Sequence, residues 1–390
     1  MQDILSSLVA TTDIASTSPA IDCSDIIAML DPNQTLIYSL MEIMKQSKPA
    51  TSFKVEWDED EYLPFNTQIN NAAGYVAGDT TLTMDDSSMF KVNDVLRVMS
   101  TGENLLVTTA HATAPTVVRA YGTVSAAAIS DNDYIFRIGN VNEEGGDVLV
   151  AKLTKEVAYY NYTQIFKHDV DISGTMEAIK MRSGGNYKAR QIKKVGIDHA
   201  LDMERAFLFG QLKDDSANFT KHARQMRGIY HTISTNVVTD ANGIITKAEF
   251  DDFLENYGAA HGSGDRRMGK ILLVGSIISA ALAAWMNDKL QISLEAKKLG
   301  MSCVEYMTPG GAKYTIKHHQ LFKVSPELKG AMMVIDPTQI KKRPLRPTKF
   351  FPSLPTTKDK TLGEYRTETS IEVSLEKNFA LWTGTTGYSV

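Results

Sequence analysis

With 390 residues, 43% of them apolar, and a formal net charge of -5, the chain exceeds one simple core and is apolar enough to bury two or three packed units. Its charge is spread along the sequence, which argues against the basic signature of a nucleic-acid binder and against a polybasic membrane anchor. Cys23 and Cys303 are the two cysteines, far apart and without a CxxC partner, so a disulfide framework or a cysteine zinc site is not expected.

The start, MQDILSSLVATTDIAS, has no positive n-region and no continuous apolar core, so it does not read as a secretory signal. Residues up to about 50 are rich in Ser, Thr, Asp and Ala with one helical patch, Leu36 to Met44, and are expected to form an extended arm. FKVEWDEDEYLP then alternates Phe53, Val55 and Trp57 with Lys54, Glu56 and Asp58, a strand signature. Its acidic run, Asp58 to Glu61, lacks the glycine turn and spaced ligands of a cation site and reads as a solvated charged edge. From 72 to 146 come short β-branched runs (TTLTM, DVLRVM, NLLVTTA, TVVRAYG, YIFRIG) separated by turn signals. They predict a small antiparallel sandwich or barrel, inserted with its ends close together.

NYTQIF and VDISGT lead into one long helix ending DMERAFLFG. From Asn186 to Gly210 it spans roughly 37 Å at 1.5 Å per residue. Ile197, Ala200, Leu201 and Leu208 form its apolar stripe, and Lys188, Arg190, Lys193, Lys194, Asp198, Asp202 and Glu204 are expected largely elsewhere. The basic residues come first and the acidic ones last, against the helix dipole, with Lys194 and Asp198 spaced for an i, i+4 pair.

A mixed α/β region follows. Thr246 to Glu249 is a capping box opening a helix over 246 to 257. KILLVG predicts a buried strand turning at Ser276 into a helix with Ile278, Ala281, Leu282 and Trp285 on one side. The apolar stretch from Ile271 to Trp285 is shorter than the roughly 20 residues that span a bilayer, so the chain is expected in cytosol-like solvent or in something built there. The end of the chain reads as AMMVIDPTQI, a Pro-punctuated basic connection KKRPLRPTKFFPSLP, and one long strand. In that strand Ile371, Val373, Leu375, Phe379 and Leu381 oppose a wet face of Ser370, Glu372, Ser374 and Glu376.

Motifs for chemistry are incomplete. TDANGIITKAEF resembles a calcium loop but has Val238 where the first oxygen ligand belongs, and so reads as a turn into a capped helix. GDRRMGKI, from Gly264, places Ile271 where magnesium needs Ser or Thr, and it precedes its strand instead of following one. His199 stands alone, and the adjacent His318 and His319 point to opposite faces of a strand; such histidines are usually surface or hydrogen-bonded structural residues. The basic cluster of Lys341, Lys342, Arg343, Arg346 and Lys349 lacks stacking aromatics and is expected to be solvated or inter-subunit, with phosphate contact the minor alternative. No catalytic, cofactor or metal site is expected.

Taken in order, Val55, Glu56, Trp57 with Asp58 to Glu61, then Asn161 to Phe166, Ile172 to Thr175, and the helix end Asp202 to Gly210, resemble the major capsid proteins of tailed bacteriophages. Encapsulin shells and the floor of herpesvirus capsids share that fold. The resemblance extends to a subfamily whose β-rich insertion carries a GE-x-x-x-V element, matched by Gly102, Glu103 and Val107, and an Arg-Gly pair. Here this chain departs, with Arg119 and Ala120, which puts the local turn in doubt.

The resemblance implies an α+β capsid fold with an N-terminal arm (1–52), E-loop and arm strands (53–71 and 147–183), an inserted β domain (72–146), a P-domain spine helix (184–215), an A-domain (216–335) and returning P-domain strands (336–390). It implies a non-enzymatic shell subunit of the virion, assembled in host cytoplasm. Hexamers and pentamers of the chain itself would enclose double-stranded DNA without sequence specificity, with scaffolding, portal and decoration proteins as further partners and no membrane. Candidate inter-subunit contacts are Trp57, Asp58, Glu59, Asp60, Glu61, Lys193, Lys194, Arg343 and Arg346. An encapsulin-like compartment and an α/β enzyme with an appended barrel are the alternatives.

Overall fold

The computed structural model describes residues 35–43, 46–146, 151–179, 187–259, 268–285, 291–292 and 304–389. Cys23, Cys303, most of the expected arm and the start of GDRRMGKI lie outside the described residues. The chain divides into two units, one made of residues 1–57 with 159–390, the other of Asp58–Ala158. The strand expected in FKVEWDEDEYLP is β1 (Lys54–Glu59), which pairs with β7 (Val157–Tyr162).

In the Asp58–Ala158 unit, β2 (Asn66–Gln68), β3 (Asp94–Val98), β4 (Asn104–Thr109), β5 (Thr116–Val118) and β6 (Tyr134–Asn140) form an antiparallel sheet in the order β2-β6-β3-β4-β5. Alternation turns Leu96 and Val98 of β3 and Leu105 and Val107 of β4 into a core with Phe90, Ile129 and Ile135. TTLTM makes isolated bridges in place of the expected strand. The amides of Leu82 and Met84 donate to Pro115 and Thr113, whereas the Thr83 carbonyl accepts from Asn70 on the other side, so no single partner supports a continuous ladder.

In the larger unit a seven-stranded sheet runs β11 (Val237–Thr239), β20 (Ala380–Thr383), β17 (Met332–Ile335), β13 (Met268–Val274), β16 (Lys313–His318), β15 (Val304–Met307), β14 (Gln291–Ile292). KILLVG is its central strand, buried on both faces: Ile271 and Leu273 enter one core, Leu272 and Val274 the other. The second core is covered by Phe250 and Phe253 of α5 (Lys247–Phe253) and by Ile278 and Leu282 of α6 (Ser276–Trp285). The Thr246–Glu249 capping box is formed as expected, and α5 runs on as one π-helical turn, Leu254–Gly258. Short elements complete the unit: α4 (Ile229–Thr232), α7 (Pro326–Lys329), the hairpin β9 (Lys213–Asp215) with β10 (Ala223–Gln225), and the pair β12 (Ile244–Ile245) with β21 (Gly387–Tyr388). In the calcium-loop lookalike, Asp240 Oδ1 accepts from the amides of Asn242 (3.0 Å) and Gly243 (2.8 Å), with Gly243 at φ +70. That is the turn the sequence predicts.

The long sheet has the order β18 (Ile340–Phe351), β19 (Lys360–Val373), β8 (Gln164–Ser173). Against β8 and β19 packs α3 (Tyr187–Phe209), the expected spine, while α1 (Leu36–Ile43) packs on α3. A short helix, α2 (Gly174–Ala178), follows β8 with Ser173 as its cap.

Three expectations are corrected here. The basic connection is a strand, β18: residues 46–50 line its outer side, where Pro344 takes part as an acceptor, its carbonyl receiving the Ala50 amide at 2.9 Å, and its register against β19 shifts between Pro344 and Arg346 and again between Arg346 and Lys349. The long C-terminal strand is two strands in different sheets, because Leu375 takes a left-handed φ of 52 and Glu376–Asn378 form a 3₁₀ turn between β19 and β20. Its wet face is not wet at Ser370 and Glu372, which are buried; β18 lays Lys341 and Arg343 across that face.

Candidate assembly site

The motifs that carried the resemblance act as struts. Asn161 is buried and clamps two segments: its Nδ2 donates to the Arg227 carbonyl (3.0 Å) and the Ile371 carbonyl (2.8 Å), and its Oδ1 accepts from the Arg227 amide (2.8 Å). Thr163 Oγ1 donates to Glu368 Oε1 (3.0 Å), Gln164 Oε1 accepts from the Met226 amide (3.3 Å), and Phe166 enters the core. Fully paired buried polar groups fix one register for a strand that would otherwise slip. Gly210 ends the spine where a Cβ would lie 2.4 Å from the Met226 carbonyl oxygen, so no side chain fits. There the Gly228 amide donates to the Gly210 carbonyl at 2.9 Å.

Charge type misplaced Glu204. It is buried with His199, Leu201, Met203, Phe207 and Leu208, while Ile197 and Ala200 are half-buried. Oε1 and Oε2 accept from the amides of Ile37 (2.7 Å) and Tyr38 (2.8 Å) in the first turn of α1, and Oε1 also lies 3.0 Å from His319 Nε2. A carboxylate on the unsatisfied amides of a helix N-terminus is favourable in both charge and hydrogen bonding. His319 Nδ1 accepts from the Leu321 amide at 3.2 Å, which leaves Nε2–H to donate to Glu204. The spacing of Glu204, three residues past Leu201 and four before Leu208, falls on the inner stripe, while its charge type argues for solvent.

The expected contact residues fall into three groups. Lys193 and Lys194 are exposed and, with Asp198, form no ion pair among the described residues, so the anticipated Lys194–Asp198 pair is not made; Lys188 instead reaches Glu177 at 2.8 Å. Asp58, Asp60 and Glu61 are exposed and Trp57 and Glu59 half-buried; the Glu61 amide donates to Asp60 Oδ1 at 2.9 Å. Arg343 and Lys341 both pair with Glu372, at 2.5 and 2.9 Å, Lys342 with Glu42 at 2.5 Å, and Arg346 with Glu368 at 2.6 Å. Most of the basic cluster is thus neutralised within the subunit, Arg346 keeping 47% side-chain exposure.

In the Asp58–Ala158 unit the corresponding strut is Glu103, buried and held by Arg119 through two bonds of 2.8 Å, with the Ala120 amide donating at 2.8 Å and that of Ala127 at 3.3 Å. These bonds and the guanidinium keep the Glu103 carboxyl below its ordinary range against the opposing effect of burial, which is the largest single influence. Ala120 adopts φ +51, the left-handed region that favours glycine, so the turn persists with an alanine where the resembling subfamily carries Arg-Gly.

A long helix on a three-stranded sheet, joined to a seven-stranded α/β layer and braced by inward-turned motif side chains, defines the major capsid fold of tailed bacteriophages. The profile of the SU10 major capsid protein family matches residues 8–386, and the chain belongs to that family. This is a family of structural proteins and not of enzymes. A major capsid protein of Pseudomonas phage PaMx41 is 23% identical over 273 residues, covering 68% of this chain; the chain spans 65% of that curated relative's length. Among solved structures, the capsid of a native GTA particle aligns with a TM-score of 0.53 at 10% identity, covering 98% of this chain and 100% of that one. A structure from Mycobacterium phage Bobi aligns at 0.51 and 8% identity, covering 97% and 99%.

Proposed function

We propose that the chain is the major head subunit of a tailed bacteriophage, assembling with copies of itself into an icosahedral shell around double-stranded DNA in the virion. The observation that carries this reading is the capsid-family match over residues 8–386. In this reading α3 and the long sheet are the P-domain, 216–335 the A-domain, 53–71 and 147–183 the E-loop and arm strands, and 72–146 the inserted domain. Residues 1–52 are the N-terminal arm, whose described part is tied to its own subunit through α1 and Glu204, and scaffolding, portal and decoration proteins act during assembly in the host.

Among the candidate contacts, Lys193 and Lys194 present an exposed basic surface, and Asp58, Asp60 and Glu61 an exposed acidic one. Opposite exposed charges suit registration between copies more than raw affinity. Trp57, Glu59, Arg343 and Arg346 complete the set. Sedimentation of the purified full chain, with nuclease treatment of whatever it encloses, tests the reading. Megadalton particles, or hexamers and pentamers, with protected DNA when recovered from infected cells support it; protein cargo in place of DNA, or a small soluble oligomer, overturns it.

A further inference from the structure

Between α3 and the long sheet lies a chain of hydrogen bonds that no motif announces. Asp202 Oδ2 is 2.8 Å from His168 Nε2, His168 Nδ1 is 2.9 Å from His199 Nδ1, and His199 Nε2 is 2.7 Å from Thr367 Oγ1, which is 2.8 Å from Thr348 Oγ1. It therefore ties α3 (His199, Asp202) to β8 (His168), β19 (Thr367) and β18 (Thr348). His199 and Thr367 are buried, while His168 retains 25% side-chain exposure.

The number of protons decides which way this chain runs. With both imidazoles neutral, His168 Nε2–H donates to Asp202 and His199 Nδ1–H to His168 Nδ1, and Thr367 must turn its O–H away from Thr348 to donate to His199 Nε2. Add one proton and the polarity reverses with every heavy atom in place, only protons shifting. His168 then donates from both nitrogens, to Asp202 and to His199, and His199 donates to Thr367, whose hydroxyl turns to Thr348. A second proton has no such solution. It would sit on His199 Nδ1 and face the N–H of His168 across 2.9 Å, two donors with no lone pair between them and two cations in a partly buried site.

We propose that the His168–His199 contact is an acid-released latch fastening the spine helix to the long sheet, one that tolerates a first proton and opens at the second. The groups around it agree with this. Facing His199 are His168 from β8, Asp202 from α3, and the Tyr365 ring from β19 at 5.9 Å; β18 contributes the neutral Thr348. Asp202 is the carboxylate available to offset two imidazolium charges, and it is already shared with Arg205. Burial, and then His168, push His199 down to about 4, with Asp202 opposing. The second proton therefore enters only in acid, well below the ordinary histidine range.

Histidine C2-hydrogen exchange, read by mass spectrometry on the full-length protein from about pH 8 to about pH 3, reports the titration of each ring in place. His199 is expected to titrate near 4, together with a loss of backbone amide protection of about tenfold or more in α3 and β8 once intrinsic rates are removed. His199→Gln keeps a polar contact toward Thr367 and cannot take the proton. That variant should lack the acid step even though other carboxylates still titrate. A His199 that titrates at the ordinary value near 6.5 with unchanged protection overturns the proposal, and so does an equal acid step in His199→Gln. Should the variant fail to fold, the wild-type titration and its coincidence with helix release decide alone.

Discussion

Glu204 Oε1 lies 3.0 Å from His319 Nε2 with both side chains fully excluded from solvent, and the same carboxylate accepts from the first turn of α1. Three elements distant in sequence thus meet on one side chain. Glu204→Gln keeps the shape but turns an amide N–H toward groups that are themselves donors. It should cost about 2 to 4 kcal/mol, read as a lower denaturant midpoint and as loss of amide protection in α1. Unchanged protection in α1 would show that the carboxylate is not its anchor.

Ala120 offers the opposite sign. Its left-handed φ of +51 strains an L-residue, and glycine relieves that strain while adding unfolded-state entropy. Ala120→Gly should therefore stabilise the Asp58–Ala158 unit by about 0.5 to 1 kcal/mol. Hydrogen exchange of β3 and β4 in the full chain checks it, with slower exchange expected.

The parts legible in the sequence were those governed by local rules: the capping box at Thr246, the Asp240 turn, the central strand KILLVG and the spine helix. What escaped depended on partners remote in sequence. Glu204 is polar by type, and only the proximity of α1, some 160 residues away, makes an inner position favourable for it. Pro344 and Pro347 looked like breaks because a strand's tolerance for proline depends on which edge it occupies. Likewise, Glu372 reads as solvent-facing until Lys341 and Arg343 arrive from β18. His168 and His199 carry no spacing signal at all, since one is on a strand and the other on a helix.

Acid stability should follow His199. Its folded value near 4 lies below the unfolded value near 6.5, so between these the unfolded chain binds more protons. The contribution is full above about pH 6.5, falls as the pH drops, and is gone below about pH 4, amounting to about 3 kcal/mol. Denaturation midpoints of wild type and His199→Gln across this window should converge toward acid. A constant difference would contradict the assignment.

Charge reversal tests the registration of copies. Replacing Lys193 and Lys194 by Glu should impair assembly at moderate salt while leaving the subunit folded, and changing Asp58, Glu59, Asp60 and Glu61 to Lys should restore particles. Light scattering with circular dichroism separates the two effects; normal particles from the first variant would remove this contact from the account.

The central claim, that the chain is a shell subunit, meets its most direct test in electron microscopy of the purified full-length protein at near-physiological salt. The account predicts closed particles of uniform diameter, or rings of five and six subunits that close into them. A field of discrete dimers or tetramers that never close, over a wide range of concentration, would contradict it.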